Sequence, residues 1–295
     1  MSTFLSRRDA LKSAAFVTVA AAGIRSRLSA AEAVLPSMKG QINHSVCKWC
    51  YPKISLEDLA KSAKEIGLSS IELLQPSDFS TLQKHGLTCS MVSNPTVDKL
   101  GGITRAFNRI EHHDKLVEAY RGHIDAVATA GMTNLICFSG NRDGLDDEKG
   151  IENCAIGIKR LMSYAESKKV NIVMELLNSK VDHHDYQCDH TAWGVELCKR
   201  IGSERFKLLY DIYHMQIMEG DVIATLRKSH SFIAHYHTGG VPGRNEIDET
   251  QELQYPAIMK AIVDTGYKGH VAQEFIPKRS DFIASLKQGV RICDV

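Results

Sequence analysis

Short apolar runs recur along this chain. Most are followed by a longer stretch whose apolar residues return every three or four positions. The first kind of pattern predicts buried strands at 41–46, 70–74, 88–93, 134–139, 171–177, 206–213, 232–237 and 269–276. The second predicts helices at 55–67, 79–85, 114–130, 148–169, 191–201, 221–229, 255–266 and 281–292. In the helix at 148–169, Ile156, Ile158, Leu161, Met162 and Ala165 supply the apolar face. Punctuation supports several boundaries: Ser55 caps one helix with Asp58 in the capping-box position, and Gly67 stops it. Strictly alternating strands and helices imply a parallel sheet with right-handed crossovers. Eight such units in about 260 residues predict an α/β protein, a single-domain (β/α)8 TIM barrel, with its site at the C-terminal ends of the strands. An open doubly wound sheet would want a glycine-rich phosphate turn after the first strand, and none is present.

Charge and composition narrow the partners. The chain has 295 residues, with 36 Lys and Arg against 35 Asp and Glu. No basic block stands out, which disfavours a nucleic-acid partner. The first ~33 residues read as a leader rather than fold. Ser6-Arg-Arg-Asp-Ala-Leu-Lys12 resembles a twin-arginine export signal, with Ala10 where Phe is usual. The apolar run at 14–24 is short for a membrane span, and Ala31-Glu-Ala33 offers a small-x-small cleavage site. Residues 1–33 are therefore expected to be a twin-arginine signal peptide, and 34–295 the barrel. Export by that route predicts a periplasmic protein with no stable membrane span after processing. An anchor helix or a frayed terminus are the rival readings. Cys47-Lys-Trp-Cys50 has redox-motif spacing, but Pro52 interrupts the strand–motif–helix context that chemistry needs. A disulfide between Cys47 and Cys50 is left open. The other six cysteines fall inside strand-like or helix-like runs and read as small core residues.

Four strands carry groups that a core strand does not ask for: Glu175, Asp211, His237 and Glu274. Neighbouring barrel strands lie about 4.8 Å apart, so four adjacent strand ends can converge on one ion. Three carboxylates and one imidazole form a hard donor set, which suits one Mg²⁺ or Mn²⁺. Taken singly, a strand glutamate is more often a salt-bridge partner inside the barrel, and Glu72 is read that way. The weight lies in four coincidences at equivalent strand positions. His44, Trp49, Asn94, Asn141, Arg142 and Asn178 also follow strands on the expected face. Trp49 could stack on a substrate, although a strand-end Trp more often packs the barrel mouth. His183-His184 reads as a solvated loop pair.

Asp211-Ile-Tyr-His214, His235-x-His237-x-x-x-Val-Pro-Gly-Arg244 and Glu274-Phe-x-Pro277 resemble the hydroxypyruvate isomerase branch of the xylose isomerase-like TIM barrels. Sugar 3-epimerases belong to the same superfamily. The resemblance implies a divalent metal held by Glu175, Asp211, His237 and Glu274. It also implies proton transfer through an enediolate by Glu175 and Glu274, and substrate contact by His214 and Arg244. Trp49 and Asn141 join these as substrate-side candidates. The reaction implied is hydroxypyruvate to tartronate semialdehyde, or a relative of it on another small hydroxy-carbonyl compound. Two departures keep alternatives in view: His237 stands where this branch usually has Gln, and Glu249-Thr-Gln-Glu252 replaces its Gly-Thr-Gly-Glu. The alternatives are an exported keto-sugar epimerase or isomerase, and a non-catalytic, metal-containing sugar-binding relative. The expected partner is a small molecule, and a homo-oligomer is left open.

Overall fold

Seven parallel strands share one sheet in the order β2-β1-β7-β6-β5-β4-β3. They are β1 (Asn43–Cys47), β2 (Ser70–Glu72), β3 (Asn134–Cys137), β4 (Asn171–Glu175), β5 (Phe206–Asp211), β6 (Ile233–Thr238) and β7 (His270–Gln273). The structure, a computed structural model, describes residues 38–295, and these form one unit. The expected twin-arginine leader and its cleavage site at 31–33 lie outside the described residues.

The sheet's two outer strands, β2 and β3, are joined through the stretch at 88–92. Parallel bridges link Ser70 to Thr88 and Leu74 to Val92 on one side, and Val92 to Leu135 on the other. This is the position of the expected third strand, but it forms no regular ladder. Its central residue shows why: the Ser90 N–H donates to the Ser70 hydroxyl (2.8 Å), and the Ser90 carbonyl accepts from the Asn134 amide (2.9 Å). Side chains take the backbone partners that a ladder would use.

Nine α-helices surround the strands among the described residues: α1 (Leu56–Ile66), α2 (Phe79–Lys84), α3 (His113–Thr129), α4 (Asp147–Lys168), α5 (Thr191–Ile201), α6 (Ile212–Met218), α7 (Val222–Ser229), α8 (Tyr255–Asp264) and α9 (Phe282–Cys293). In α1 the Ser55 hydroxyl accepts from the Asp58 N–H, and Gly67 closes the helix at φ 101°, where a side chain would be strained. Strand residues such as Val46, Ile71, Ile136, Val173, Leu208 and Tyr236 are fully or almost fully buried. This is what a sheet covered by helices requires. No helix among the described residues is long and apolar enough to cross a membrane.

Five of the expected strands end two or three residues early, and one of them passes straight into a helix. The run at 206–213 stops at Asp211, and the chain enters α6 directly, because the Asp211 carboxylate accepts the His214 N–H at 3.1 Å and caps the helix. Tyr213 and His214 therefore sit on a helix. Strand register then aligns the mouth. Asp211 pairs with His237 across β5 and β6, Glu175 lies level with Leu209, and Glu274 donates its N–H to Thr238 just beyond β7.

Candidate active site and metal centre

Glu175 ends β4, Asp211 ends β5, His237 is the penultimate residue of β6, and Glu274 follows β7. All four are buried, and one donor atom from each lies within 4.8 Å of the others. The His237 Nδ1 is 2.8 Å from Glu274 Oε2 and 3.4 Å from Glu175 Oε1. Its Nε2 points the other way, 2.7 Å from Glu72 Oε1.

Arg244 is the cation of the mouth. Its Nη2 lies 2.6 Å from Glu274 Oε2 and 3.4 Å from Asp211 Oδ2. Its guanidinium sits 5.0 Å from the centre of the Trp49 ring and 5.3 Å from that of Tyr213, in cation–π range of both. The backbone that aims it is unusual. Arg244 has φ 57°, its N–H donates to Gly240, and its carbonyl accepts from Ile276 (2.7 Å). Gly240 permits this fold of the loop: a Cβ there would lie 2.3 Å from the Glu246 carbonyl oxygen.

Electrostatics separate the two glutamates. Burial, and then the Glu274 charge, push the Glu175 carboxyl above the usual range, and His237 offsets them only in part. Burial also raises Asp211 well above its ordinary value. Burial acts on Glu274 in the same sense, but His237 and Arg244 outweigh it and hold that carboxyl well below the usual range. Burial would depress His237, yet Glu274 and its other neighbours hold its imidazole well above its ordinary value. His214, buried and near Arg244, is driven the opposite way and stays neutral.

The site fits a divalent cation on its own chemistry. Three carboxylates converge on an imidazole, with one arginine to balance them. Glu175 Oε1 is buried without a hydrogen-bond partner. An orphaned acceptor beside clustered like charges is costly unless a cation joins them.

Most of the residues singled out by sequence meet here. Trp49 donates from Nε1 to Glu274 Oε1 at 2.8 Å. With Glu175, Arg244 and Glu274 it lines a cavity of about 380 Å³, whose other walls include Leu73, Ile103, Ile136, Phe138 and Leu177. His214 is fully buried behind the mouth: its Nδ1 is held by Asn178, and its Nε2 lies 3.7 Å from Asp211 Oδ2. Asn141 is not among the cavity's lining residues. Its backbone pairs with Thr104 and Tyr186 instead. His44 lies near the start of β1, 3.9 Å from Asp294, away from the mouth. Arg142 is drawn to Asp147 and Asp189. His183, read as a solvated loop residue, lines the cavity and packs its ring 5.3 Å from that of His214. All eight cysteines are free and buried, Cys47 and Cys50 included. A wider groove of about 510 Å³, bordered by Asp248, Glu252 and Tyr255, shares none of the mouth residues.

Fold and mouth together define a parallel α/β barrel with an acidic, cation-ready centre at the C-terminal ends of four neighbouring strands. The chain belongs to the xylose isomerase-like TIM barrel family, whose sequence profile matches residues 60–291. A Drosophila melanogaster protein named "putative hydroxypyruvate isomerase" is 36% identical over 238 residues, covering 76% of this chain and 87% of that protein. The 2-oxo-tetronate isomerase of Cupriavidus necator is 33% identical over 114 residues, covering 39% of this chain and 43% of that protein. The chain thus spans about two fifths of the length of that relative. Among solved structures, the AP endonuclease, family 2, of Brucella melitensis superposes with a TM-score of 0.75 at 22% identity, covering 85% of this chain and 98% of that one. The D-psicose 3-epimerase of Clostridium cellulolyticum, solved with D-tagatose, superposes at 0.68 with 16% identity, covering 86% and 100%. At these identities the superpositions establish the fold.

Proposed function

We propose that this chain is an isomerase or epimerase that moves a proton between carbons of a small hydroxy-carbonyl substrate. In this reading Glu175, Asp211, His237 and Glu274 hold one divalent cation, Mg²⁺ or Mn²⁺. The observation that carries it is the pairing of Glu175 and Glu274, two carboxylates from separate strands that border one cavity beside two further donors. When bound, the cation supplies Lewis-acid stabilisation of the enediolate charge.

The chain's own groups then divide the proton work. Glu175 has an oxygen with no donor and a raised proton affinity, which suits the group that removes a proton from carbon, with Glu274 returning one. Glu274 is gripped by Trp49 on one oxygen and by Arg244 and His237 on the other, so it works from a fixed position. Return of a proton at the adjacent carbon, with the hydroxyl proton passing to the former carbonyl oxygen, gives isomerisation, and return from Glu274 on the opposite face of the same carbon gives epimerisation. The apolar wall from Leu73 to Leu177 limits water around the intermediate.

The names of the Drosophila and Cupriavidus relatives support a short 2-oxo acid or a close analogue, with hydroxypyruvate to tartronate semialdehyde as the specific case. One observation favours a second reading, a keto-sugar. The cavity of about 380 Å³ is wide enough to admit a molecule larger than a three-carbon acid. Export through the leader remains part of the proposal, and cell fractionation would locate the mature chain.

The test is deuterium incorporation from solvent, followed by NMR over a panel of 2-oxo acids and ketoses with Mg²⁺ or Mn²⁺. Exchange should occur with at least one class and fall about 10²–10⁴-fold in Glu274→Gln. Near-normal exchange in that variant would remove the two-glutamate mechanism.

A further inference from the structure

Glu72 lies beneath the mouth and has no part in the chemistry above. It ends β2 and is fully buried. Its Oε1 accepts from two imidazoles, His237 Nε2 at 2.7 Å and His235 Nε2 at 2.8 Å. Its Oε2 accepts from the Ser90 hydroxyl, which in turn accepts from Ser70 at 2.8 Å. The two histidine rings meet edge to face, with centres 5.2 Å apart, so each limits rotation of the other.

A carboxylate accepts and does not donate, whereas a neutral imidazole carries one N–H on either nitrogen. Glu72 therefore keeps the His237 proton on Nε2. Nδ1 is then turned towards Glu274 Oε2 and Glu175 Oε1, at 2.8 and 3.4 Å, where it donates to Glu274 in the metal-free site and would meet a divalent ion once that second proton has left. We infer that Glu72 is a positioning residue, which fixes the tautomer and ring plane of His237 so that Nδ1 is the atom offered to a divalent ion. This rests on the reading of His237 as a metal ligand. Buried carboxylates in this relation to a ligand histidine orient the ring and raise its basicity.

Glu72→Gln tests it, because a carboxamide donates as well as accepts. The amide can donate to a bare Nε2, which moves the proton to Nδ1 and blocks that atom. Calorimetric titration of Mn²⁺ into the metal-stripped full chain should show one ion bound by the wild type, and binding about 10–100-fold weaker in the variant. Excess Mn²⁺ should restore the turnover number of the variant, with its Mn²⁺ requirement shifted upward by the same factor. Nitrogen-15 NMR of the Mg²⁺-loaded wild type should place the His237 proton on Nε2. A variant affinity within twofold of the wild type, or an Nδ1–H tautomer in the loaded wild type, would overturn the inference. The tautomer measurement needs no variant, so a poorly folding Glu72→Gln does not remove the test. A wild type that takes up no Mn²⁺ would instead overturn the metal centre itself, and this inference with it.

Discussion

Replacing Glu175 by Gln should stabilise the metal-free protein while abolishing most of its response to metal. Glu175 is buried, one of its oxygens lacks a donor, and burial and Glu274 both raise its proton affinity. Two unit negative charges at the 4.8 Å limit of the donor cluster repel by about 3.5 kcal/mol at an effective dielectric of about 20. His237, 3.4 Å from Glu175, offsets part of this, leaving a net relief of about 1–3 kcal/mol. For a chain of this size that is a rise of roughly 2–10 °C in melting temperature. Saturating metal reverses the order: at a hundredfold excess over its dissociation constant a ligand adds about 2.7 kcal/mol to the wild type. The variant has lost an anionic ligand and gains far less. The pH dependence follows from the raised carboxyl. Its stabilising contribution is full below the ordinary carboxylate range and is lost as pH rises through the elevated folded value. The variant lacks that slope. Scanning calorimetry of both proteins in EDTA and in Mn²⁺, from pH 5 to 8, reads all three effects. An EDTA-treated variant that melts below the wild type at pH 7 would refute the reasoning.

Three further outcomes follow from other parts of the molecule. Arg244→Met leaves Asp211 and Glu274 without their arginine in a buried site, and should cost about 3–5 kcal/mol in EDTA, partly recovered with Mn²⁺. A loss below about 1 kcal/mol by urea denaturation would show that those carboxylates need no such partner. Burial would raise Asp189, but Arg142, Ser179 and His190 outweigh it and hold it below the usual range. Its contribution is present above the ordinary carboxylate value and lost as pH falls through the lowered one, so Asp189→Asn should flatten the acid limb of a stability–pH curve. Ser55→Ala removes the cap of α1, a residue that does not line the cavity, and should cost about 0.5–2 kcal/mol with deuterium exchange unchanged. A fall in the exchange rate would connect that helix to the site.

The alternation of elements was readable because each strand is apolar and each helix amphipathic, and caps such as Ser55 and Gly67 mark the ends locally. Where side chains take over backbone partners, that legibility fails. Apolar Met91 and Val92 beside Ser90 look like a strand, and nothing near them in sequence shows that Ser70 and Asn134 will occupy the Ser90 backbone. α6 hid inside an apolar run, although Asp211, three residues before His214, is an N-cap signal that could have revealed it. The convergence of Glu175, Asp211, His237 and Glu274 was legible because each interrupts an apolar run at the same relative place. Glu72 was read as an ion-pair partner inside the barrel, as it is, but its partners were not legible, since they lie 163 and 165 residues away and only barrel closure brings them together. His183 was missed for a related reason: a loop histidine gives no periodic sign of the side on which it will settle.

The cavity's walls divide unevenly around the ring. Every acidic group bordering it comes from the arc of β4 to β7, while Leu73, Ile103, Ile136 and Phe138 belong to the arc from β2 to the far side of β3. In the proposed enzyme, changes of bulk at Leu73, Ile103, Ile136 or Phe138 would alter which molecules fit while leaving the charged groups in place.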